Sequence, residues 1–208
     1  MPQHRDWRAG YFLWRVICRA LSRPVNKRKP IAMTIKILPL TPDTLSVLVE
    51  HFKRHRAESG LDGVHFMPFA PDDPNGPTGP SSDRPFWSLD TPGWQRWFCA
   101  HDTQSGHIVG HVDLKSDPLR TGVHWCHLGI GIDRVYRGQG LGEQLMQAAI
   151  NFVKASPGID HIELRVFANN TPAVALYKKM GFKEVGTLKD RFRIQGQSID
   201  DTVMVLGI

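Results

Sequence analysis

The stretch "HLGIGIDRVYRGQGLGEQLM", His127 to Met146, joins three local patterns that together decide the fold. Its first residues are apolar and typical of a strand, and its middle is a glycine-dense turn that contains Arg137. A helix is predicted after the turn, because apolar residues recur there at helical spacing: Leu141, Leu145, Ala148, Ala149 and Phe152. Unpaired backbone N–H groups and the positive end of the dipole at a helix start favour an anion. The stretch therefore predicts an anion-binding turn.

Two well-known phosphate loops do not fit this turn. A dinucleotide fingerprint G-x-G-x-x-G that begins at Gly138 requires glycine at position 143, where the chain has Glu143. A P-loop requires a lysine after its last glycine, and no lysine occurs between Arg134 and Lys154. What remains is a turn over residues 137–142 whose glycines let a phosphate approach the backbone closely.

The patterns on either side of the turn predict an alternation of strands and helices. Strands are predicted over residues 34–40, 94–100, 107–114, 123–132, 161–167, 182–190 and 200–208. Helices are predicted from Thr41 to about Glu58, from the glycine turn to the Ser-Pro-Gly at 156–158, and over 171–180. Residues 60–93 are predicted to form a long loop, because they are so rich in proline and glycine that neither a strand nor a helix could run through most of them. The aromatic residues within that loop favour a packed lid over a linker.

Two motifs carry a family resemblance. Arg137, Gly140 and Gly142 form the pattern Arg-x-x-Gly-x-Gly, and "NNTPAVALYKKMGF" follows at residues 169–182. Together they resemble the GCN5-related N-acetyltransferase (GNAT) superfamily over residues 33–208. The resemblance implies an α+β fold with a mixed, mostly antiparallel sheet flanked by helices.

The resemblance also implies a cofactor and the residues that bind it. The arginine-glycine turn would hold the pyrophosphate of acetyl-CoA through Arg137, Gly138, Gln139, Gly140, Leu141 and Gly142. Backbone groups of Ile130 and Ile132 would pair with the pantetheine amides, and Asn170 would contact the pantetheine arm. Tyr177 stands where the family often places a general acid near the CoA sulfur.

The general base is the least determined part of the site. Family members often use a glutamate on the strand before the glycine turn, but residues 123–132 contain none. His127 is the first candidate, because an ordinary histidine pKa of about 6.5 suits the task. His124, Glu163 and Asp113 remain alternatives. Cys126 is interpreted as a core residue rather than a nucleophile.

Charge is distributed unevenly along the 208 residues. Residues 1–32 hold eight Lys or Arg against one acid, a net charge of +7, while the remainder holds 18 basic and 19 acidic residues, a net charge of −1. The body therefore has no global preference for a polyanion, and a nucleic-acid partner is not favoured. The arm of residues 1–32 is interpreted as a flexible, dispensable extension, with a targeting or membrane-surface helix and a nucleic-acid contact as alternatives.

The remaining composition narrows the class of protein. No apolar run approaches the roughly 20 residues of a membrane span, which predicts no membrane partner. Three distant cysteines argue against a disulfide framework and against a zinc site, so no metal is predicted and a reducing cytoplasm fits best.

These observations lead to one functional hypothesis. The chain is predicted to be an acyl-CoA-dependent N-acyltransferase that moves an acetyl group from acetyl-CoA to an amino group of a small molecule or of a peptide or protein N-terminus. Amine and thioester would be held together and react directly. The alternative is a non-catalytic acyl-CoA-binding regulatory module. A homodimer is compatible with the sequence, which does not decide the oligomeric state.

Overall fold

The computed structural model describes residues 35–74, 76, 79–80 and 83–208. The predictions for the basic arm, residues 1–32, lie outside these residues. The described part contains seven strands: β1 (Ile35–Pro39), β2 (Gln95–Asp102), β3 (Ile108–Ser116), β4 (Trp125–Ile132), β5 (His161–Phe167), β6 (Lys183–Ile194) and β7 (Gln197–Gly207). It also contains three α-helices: α1 (Leu45–Ala57), α2 (Leu141–Lys154) and α3 (Thr171–Lys179).

The seven strands form one sheet in the order β1-β2-β3-β4-β5-β7-β6. Every neighbouring pair is antiparallel except β4 and β5, which are parallel. This order confirms the predicted mixed, mostly antiparallel sheet flanked by helices. The pairing of β4 with β5 ends at Leu128 and Leu164. Beyond that point, residues 129–132 of β4 pair with β3 but not with β5.

Helices cover the sheet on both faces. The apolar stripe of α2 packs in the main core, where Leu145, Met146 and Ala149 are fully buried. In β2, Trp97 packs with α1 in a second core, whereas its neighbour Phe98 packs against the main core. Since successive side chains of a strand point to opposite faces, α1 and α2 lie on opposite faces of the sheet.

The last hairpin is longer than the sequence predicts. The predicted strands stop at Asp190 and resume at Asp200, but β6 and β7 continue to a two-residue turn at Gln195 and Gly196. Both turn residues have positive φ, 50° and 79°, as a tight hairpin turn requires. The predicted ends were wrong because β6 is an edge strand with mostly exposed side chains. Its polar residues therefore give little of the alternation that marks a strand.

The loop of residues 60–93 contains two short 3₁₀ turns, Leu61–Gly63 and Arg84–Phe86, and is irregular elsewhere in its described residues. Its first part is packed against α1. His65 is buried, and the ring of Phe66 lies 4.6 Å from that of His55 between centroids. The side chain of Arg56 also donates hydrogen bonds to the carbonyls of Pro71 and Gly76. These contacts bring the loop to the edge where β4 and β5 separate.

Candidate active site

A first cleft of about 430 Å³ lies along the free edge of β4. It is lined by β4, by the glycine turn, by the start and inner face of α3, and by His55 and Phe66. The cleft brings together most of the residues predicted from the sequence to bind the cofactor or to act on it: Ile130, Ile132, Arg137, Gly138, Gly140, Gly142, Asn170 and Tyr177.

The glycine turn has the conformation that an anion site requires. Gly138 and Gly140 have positive φ, 71° and 79°, which favours glycine. A Cβ atom on either would meet nothing within 4 Å, so the space beside the turn is open. Gly140 is the N-cap of helix α2 and offers no side-chain cap, which leaves the first N–H groups of the helix available. At Gly142 a Cβ would lie 2.8 Å from Leu176, so this glycine allows α2 and α3 to approach.

The side chain of Arg137 points back toward the sheet rather than along the turn. Its Nε donates to the carbonyl of Ile132 at 2.8 Å, and its Nη2 donates to Glu58 at 2.8 Å. The guanidinium also lies over the ring of Phe66, 4.9 Å from the centroid. The backbone N–H of Arg134 donates to the same Glu58 carboxylate. The Arg137 side chain therefore connects the turn to β4 and to the end of α1. The position of Arg137 in the motif does not reveal these contacts.

Two residues of the predicted cofactor set direct their side chains away from the first cleft. Gln139 donates to the carbonyl of Val135 at 2.9 Å, and Leu141 is buried in the main core. Any contribution of these two residues to an anion site would come from their backbone groups.

A second cleft of about 250 Å³ adjoins the first through the gap between β4 and β5. Ile130, Asn170, Tyr177 and Phe66 line both clefts. The remaining walls are largely apolar and aromatic, with a buried carboxylate from β7 and a guanidinium from β5: Pro68, Leu128, Gly129, Val166, Phe167, Phe192, Asp201 and Arg165.

Tyr177 stands at the junction of the two clefts. The residue is only 7% exposed, and its ring packs near that of Phe182. Burial raises the pKa of the Tyr177 phenol above its ordinary value of 10. The hydroxyl therefore stays protonated at neutral pH and can donate a proton or a hydrogen bond.

Asp201 is a site residue that sequence reasoning missed. It is 1% exposed, and its Oδ2 lies 3.3 Å from Nη1 of Arg165. Burial raises the pKa of this carboxyl, and the charge of Arg165 opposes that shift. In the sequence Asp201 is only an acidic residue within a predicted strand. Its place beside β5 follows from its pairing with Phe167, which the sequence does not show.

The structure does not bring His127 to either cleft. Its side chain is 47% exposed, and its Nδ1 lies 3.5 Å from Oε1 of Glu163. Neither set of lining residues includes it. The predicted base role of His127 therefore has no geometric support, because this part of β4 is still paired with β5 on its other side. Cys126 is buried, and burial raises its thiol pKa to about 12, as suits a core residue.

A buried histidine cluster, also missed, joins α1 to the end of β4. His51 and His111 share a hydrogen bond of 2.8 Å between Nε2 and Nδ1. The Nδ1 of His51 lies 2.8 Å from Asp133, which also accepts from Arg54. The third ring, His55, stacks on His51 and lines the first cleft.

The described residues contain neither a helix that could span a membrane nor a metal-binding cluster. Within residues 35–74, 76, 79–80 and 83–208, no helix has the length and apolar character of a membrane span. In that same part of the chain, no group of three or more His, Cys, Asp or Glu side chains is arranged to hold a metal ion.

Comparison with curated proteins and solved structures finds several similar acetyltransferases. The chain is 34% identical to the L-amino acid N-acetyltransferase AaaT of Escherichia coli over 113 residues, 53% of this chain and 67% of that protein. It is 28% identical to the ribosomal protein uS5-alanine N-acetyltransferase of the same organism over 110 residues, 53% of this chain and 56% of that protein. The chain thus matches between about half and two thirds of the length of these relatives.

Solved structures share the fold. A GNAT-family acetyltransferase from Streptococcus pneumoniae superposes with a TM-score of 0.72 at 26% identity, over 84% of this chain and 99% of that one. A phosphinothricin acetyltransferase from Sinorhizobium meliloti in complex with AcCoA gives a TM-score of 0.65 at 20% identity, over 85% and 89% of the two chains. The family model described as acetyltransferase (GNAT) family matches residues 65–182. This chain therefore belongs to the GNAT family and is an acetyl-CoA-dependent N-acetyltransferase.

Proposed function

We propose that this enzyme transfers the acetyl group of acetyl-CoA to the amino group of a small molecule or of a peptide or protein N-terminus. The observation that carries the proposal is the meeting of two clefts at Tyr177 through the gap between β4 and β5. One cleft has the features of an anion and amide site, and the other presents a buried carboxylate. Donor and acceptor would thus reach each other from opposite sides of the gap.

The first cleft suits acetyl-CoA. Its pyrophosphate would lie against the open turn of residues 138–142 at the start of α2, where free N–H groups attract an anion. Its pantetheine amides would pair with the unpaired edge of β4 at Ile130 and Ile132, as a peptide adds to a sheet edge. Asn170 borders this path, since it lines both clefts.

The second cleft suits an amine that carries an apolar group. The carboxylate of Asp201 would attract the ammonium, and the aromatic walls would contact an apolar side chain. Similarity to an L-amino acid N-acetyltransferase and to a ribosomal protein uS5-alanine N-acetyltransferase supports an amino acid, either free or within a protein, as the acceptor.

The reaction is proposed to proceed by direct attack. The amine must lose a proton before its lone pair can attack the thioester carbonyl. Backbone N–H groups at the splayed edge of β4 would stabilise the oxyanion, and Tyr177 would protonate the departing thiolate. No covalent intermediate on the enzyme is needed, because both substrates are held together.

The experiment that tests the proposal measures release of free CoA thiol from acetyl-CoA across a panel of L-amino acids, short peptides and simple amines. Turnover with one class of acceptor is the expected result, and the best acceptor identifies the substrate class. The alternative, a non-catalytic acyl-CoA-binding module, predicts acetyl-CoA binding without thiol release for every amine in the panel.

Asp201→Asn is expected to raise the KM for the acceptor amine about tenfold, since the loss of one charge-assisted contact costs on the order of 1.5 kcal/mol. The KM for acetyl-CoA should hardly change. Asp200→Asn is the matched control, because Asp200 is the neighbouring carboxylate, pairs with Lys189 at 2.7 Å and lines neither cleft. Equal amine KM values in the two variants would remove Asp201 from the acceptor site.

We further propose that the enzyme works in a reducing compartment such as the cytoplasm. Cys99 and Cys126 are both free and buried, which supports this assignment. Burial raises the pKa of the Cys99 thiol to about 12, so it too is a packing residue rather than a reactive one. The homodimer stays a prediction and is tested by sedimentation of the purified chain.

A further inference from the structure

Strand β4 carries two glycines, Gly129 and Gly131, on the sheet face opposite α2. Its other side chains alternate with them: Leu128 is buried in the main core, and Ile130 packs against it. The two glycines therefore point toward the face that α1 covers. Both stand in the part of β4 that has lost its pairing with β5.

Side chains from other elements fill the space that these glycines leave. A Cβ atom on Gly129 would lie 2.5 Å from Oδ1 of Asp113 and 3.3 Å from its Cγ. A Cβ on Gly131 would lie 2.5 Å from Cε1 of His111 and 2.6 Å from Nε2 of His55. Asp113 and Gly129 are direct partners in the register of β3 and β4. The carboxylate of Asp113 thus occupies the place where a side chain of β4 would stand.

We propose that Asp113 is the general base of the reaction, and that β3 delivers it across Gly129 to the acceptor amine. The inference rests on the proposed function. Asp113 itself lines neither cleft, but Gly129 lines the second one, and Oδ1 of Asp113 lies where a Gly129 side chain would begin. Only a cleft residue without a side chain would therefore stand between this carboxylate and an amine bound there. Asp113 is one of the alternatives to His127 that the sequence offers. Residues 123–132 contain no acid, and the proposed base comes instead from the neighbouring strand.

The surroundings of Asp113 leave Oδ1 able to accept a proton. The residue is 5% exposed, and Lys115 of the same strand places Nζ 3.4 Å from the other oxygen, Oδ2. Nε2 of His111, also on β3, is 3.9 Å from Oδ1, which exceeds a hydrogen bond. Burial raises the pKa of the Asp113 carboxyl, and Lys115 opposes this shift.

The other titratable groups near Asp113 come from α1, β2 and β4. His51 and His55 of α1 lie behind His111, and His127 of β4 pairs across from Lys115. Burial lowers the pKa of His111 well below its usual value and that of His55 to about 3, so these two rings are neutral near pH 7. On β2 the register partner of Asp113 is Trp97, which carries no charge. Burial, and then the charge of Asp113, raise the pKa of the Cys99 thiol on the same strand to about 12, so this thiol is neutral near pH 7.

The acceptor nitrogen loses two protons for each acetyl group transferred. The acceptor ammonium gives one proton to Oδ1 of Asp113, directly or through one water, and the freed lone pair forms the C–N bond. When the tetrahedral intermediate collapses, the C–S bond breaks and the thiolate takes the proton of Tyr177. The second proton lost by the nitrogen replaces that of Tyr177, and Asp113 releases one proton to solvent for each acetyl group transferred.

The test compares the pH dependence of wild type and Asp113→Asn with the best acceptor of the amine panel. At pH 7 the variant is expected to be slower in kcat/KM by about 100-fold, the lower end of the usual range for general acid–base catalysis. The deficit should shrink to less than about threefold above the pKa of the amine, because a neutral amine no longer needs a base. A merely structural role would leave a deficit that does not vary with pH.

Two further variants keep the test decisive. Asp102→Asn is the matched control, because Asp102 is a buried carboxylate of β2 that accepts from Ser105 and Tyr136. Its register partner is Ile35 of β1, which lines neither cleft, whereas Asp113 pairs with the cleft residue Gly129. Gly129→Ala retains the Asp113 carboxylate but forces that carboxylate from its place. This variant should show the same pH-dependent deficit, and it replaces Asp113→Asn in the test if Asp113→Asn does not fold. Thermal melting and calorimetric CoA binding check that each variant is folded.

The outcomes separate this proposal from the proposed function. A pH-independent deficit, or wild-type activity at pH 7 in a folded Asp113→Asn variant, would overturn the role of Asp113 while leaving the transferase intact. Absence of turnover in the wild type with every amine would instead overturn the proposed acceptor class.

Discussion

Calorimetric titration of Gly140→Val is expected to show acetyl-CoA bound about 100-fold more weakly than by the wild type, because lost hydrogen bonds to a charged group cost about 1.5–3 kcal/mol each. Gly140 has a φ of 79° and stands immediately before the first residue of α2. A β-branched residue at this φ is strained, so the turn must shift. Its side chain would also enter the open space beside the turn, where we place the pyrophosphate.

The control for this prediction separates backbone strain from lost binding. Gly158 follows α2, has a φ of 88° and likewise meets nothing within 4 Å of a Cβ. Gly158→Val therefore imposes a similar strain in a similarly open place, but Gly158 lines neither cleft. It should lower the melting temperature without changing CoA affinity. Unchanged CoA affinity in Gly140→Val would show that the pyrophosphate does not lie on this turn.

Turnover of Tyr177→Phe is expected to fall tenfold to a hundredfold, with acetyl-CoA affinity nearly unchanged. The substitution keeps the ring, which packs beside Phe182, and removes only the hydroxyl at the junction of the two clefts. General acid catalysis is typically worth about 10²- to 10⁴-fold, and a thiolate is already a fair leaving group, so the low end applies. A loss in kcat without a loss of ground-state binding indicates a group that acts in the transition state.

Steady-state kinetics with the best amine of the panel measure this effect, and Tyr136→Phe is the matched control. The hydroxyl of Tyr136 donates to Asp102 at 3.2 Å, and the residue lines neither cleft. Its loss should cost about 1 kcal/mol of stability and leave turnover unchanged. Full turnover in Tyr177→Phe would reduce this tyrosine to a packing residue.

The raised pKa of Tyr177 has a consequence for the pH profile. Burial makes the phenol harder to ionise than an exposed tyrosine, so the acid form persists above pH 10. We therefore expect that ionisation of Tyr177 does not lower kcat between pH 7 and 9. Any fall in wild-type kcat over this range should persist in Tyr177→Phe. A fall that Tyr177→Phe removes would indicate that the Tyr177 phenol ionises below pH 9, which would contradict the raised pKa.

Much of the donor side of the site could be predicted from the sequence because it is local. The strand, the turn of residues 137–142 and the start of α2 are contiguous, and positive φ at Gly138 and Gly140 follows from glycine itself. The second motif, residues 169–182, likewise forms one helix with its flanks. The family and the mixed sheet follow from these local patterns, and the comparisons confirm both.

The acceptor side depends on which strands become neighbours, and a sequence pattern does not show this. Asp113 reaches the edge of β4 only because it pairs with a glycine, and Asp201 enters the second cleft only because β7 lies beside β5. His127 looked suitable in the sequence but lies where β4 and β5 are still paired. The side chain of Arg137 turns to Glu58, 79 residues away in the chain.

The sequence by itself determined the glycine turn before α2, the order of the elements and the family, because backbone conformation and side-chain periodicity are set by near neighbours along the chain. The tertiary structure decided where β4 and β5 separate, that Asp201 lines the second cleft and that Asp113 lies over Gly129. Register across a sheet joins residues that are distant in sequence, and a shift of one residue would turn each side chain to the opposite face. The positions of the buried acids Asp113 and Asp201, which we propose act on the acceptor, are therefore products of strand pairing rather than of any motif.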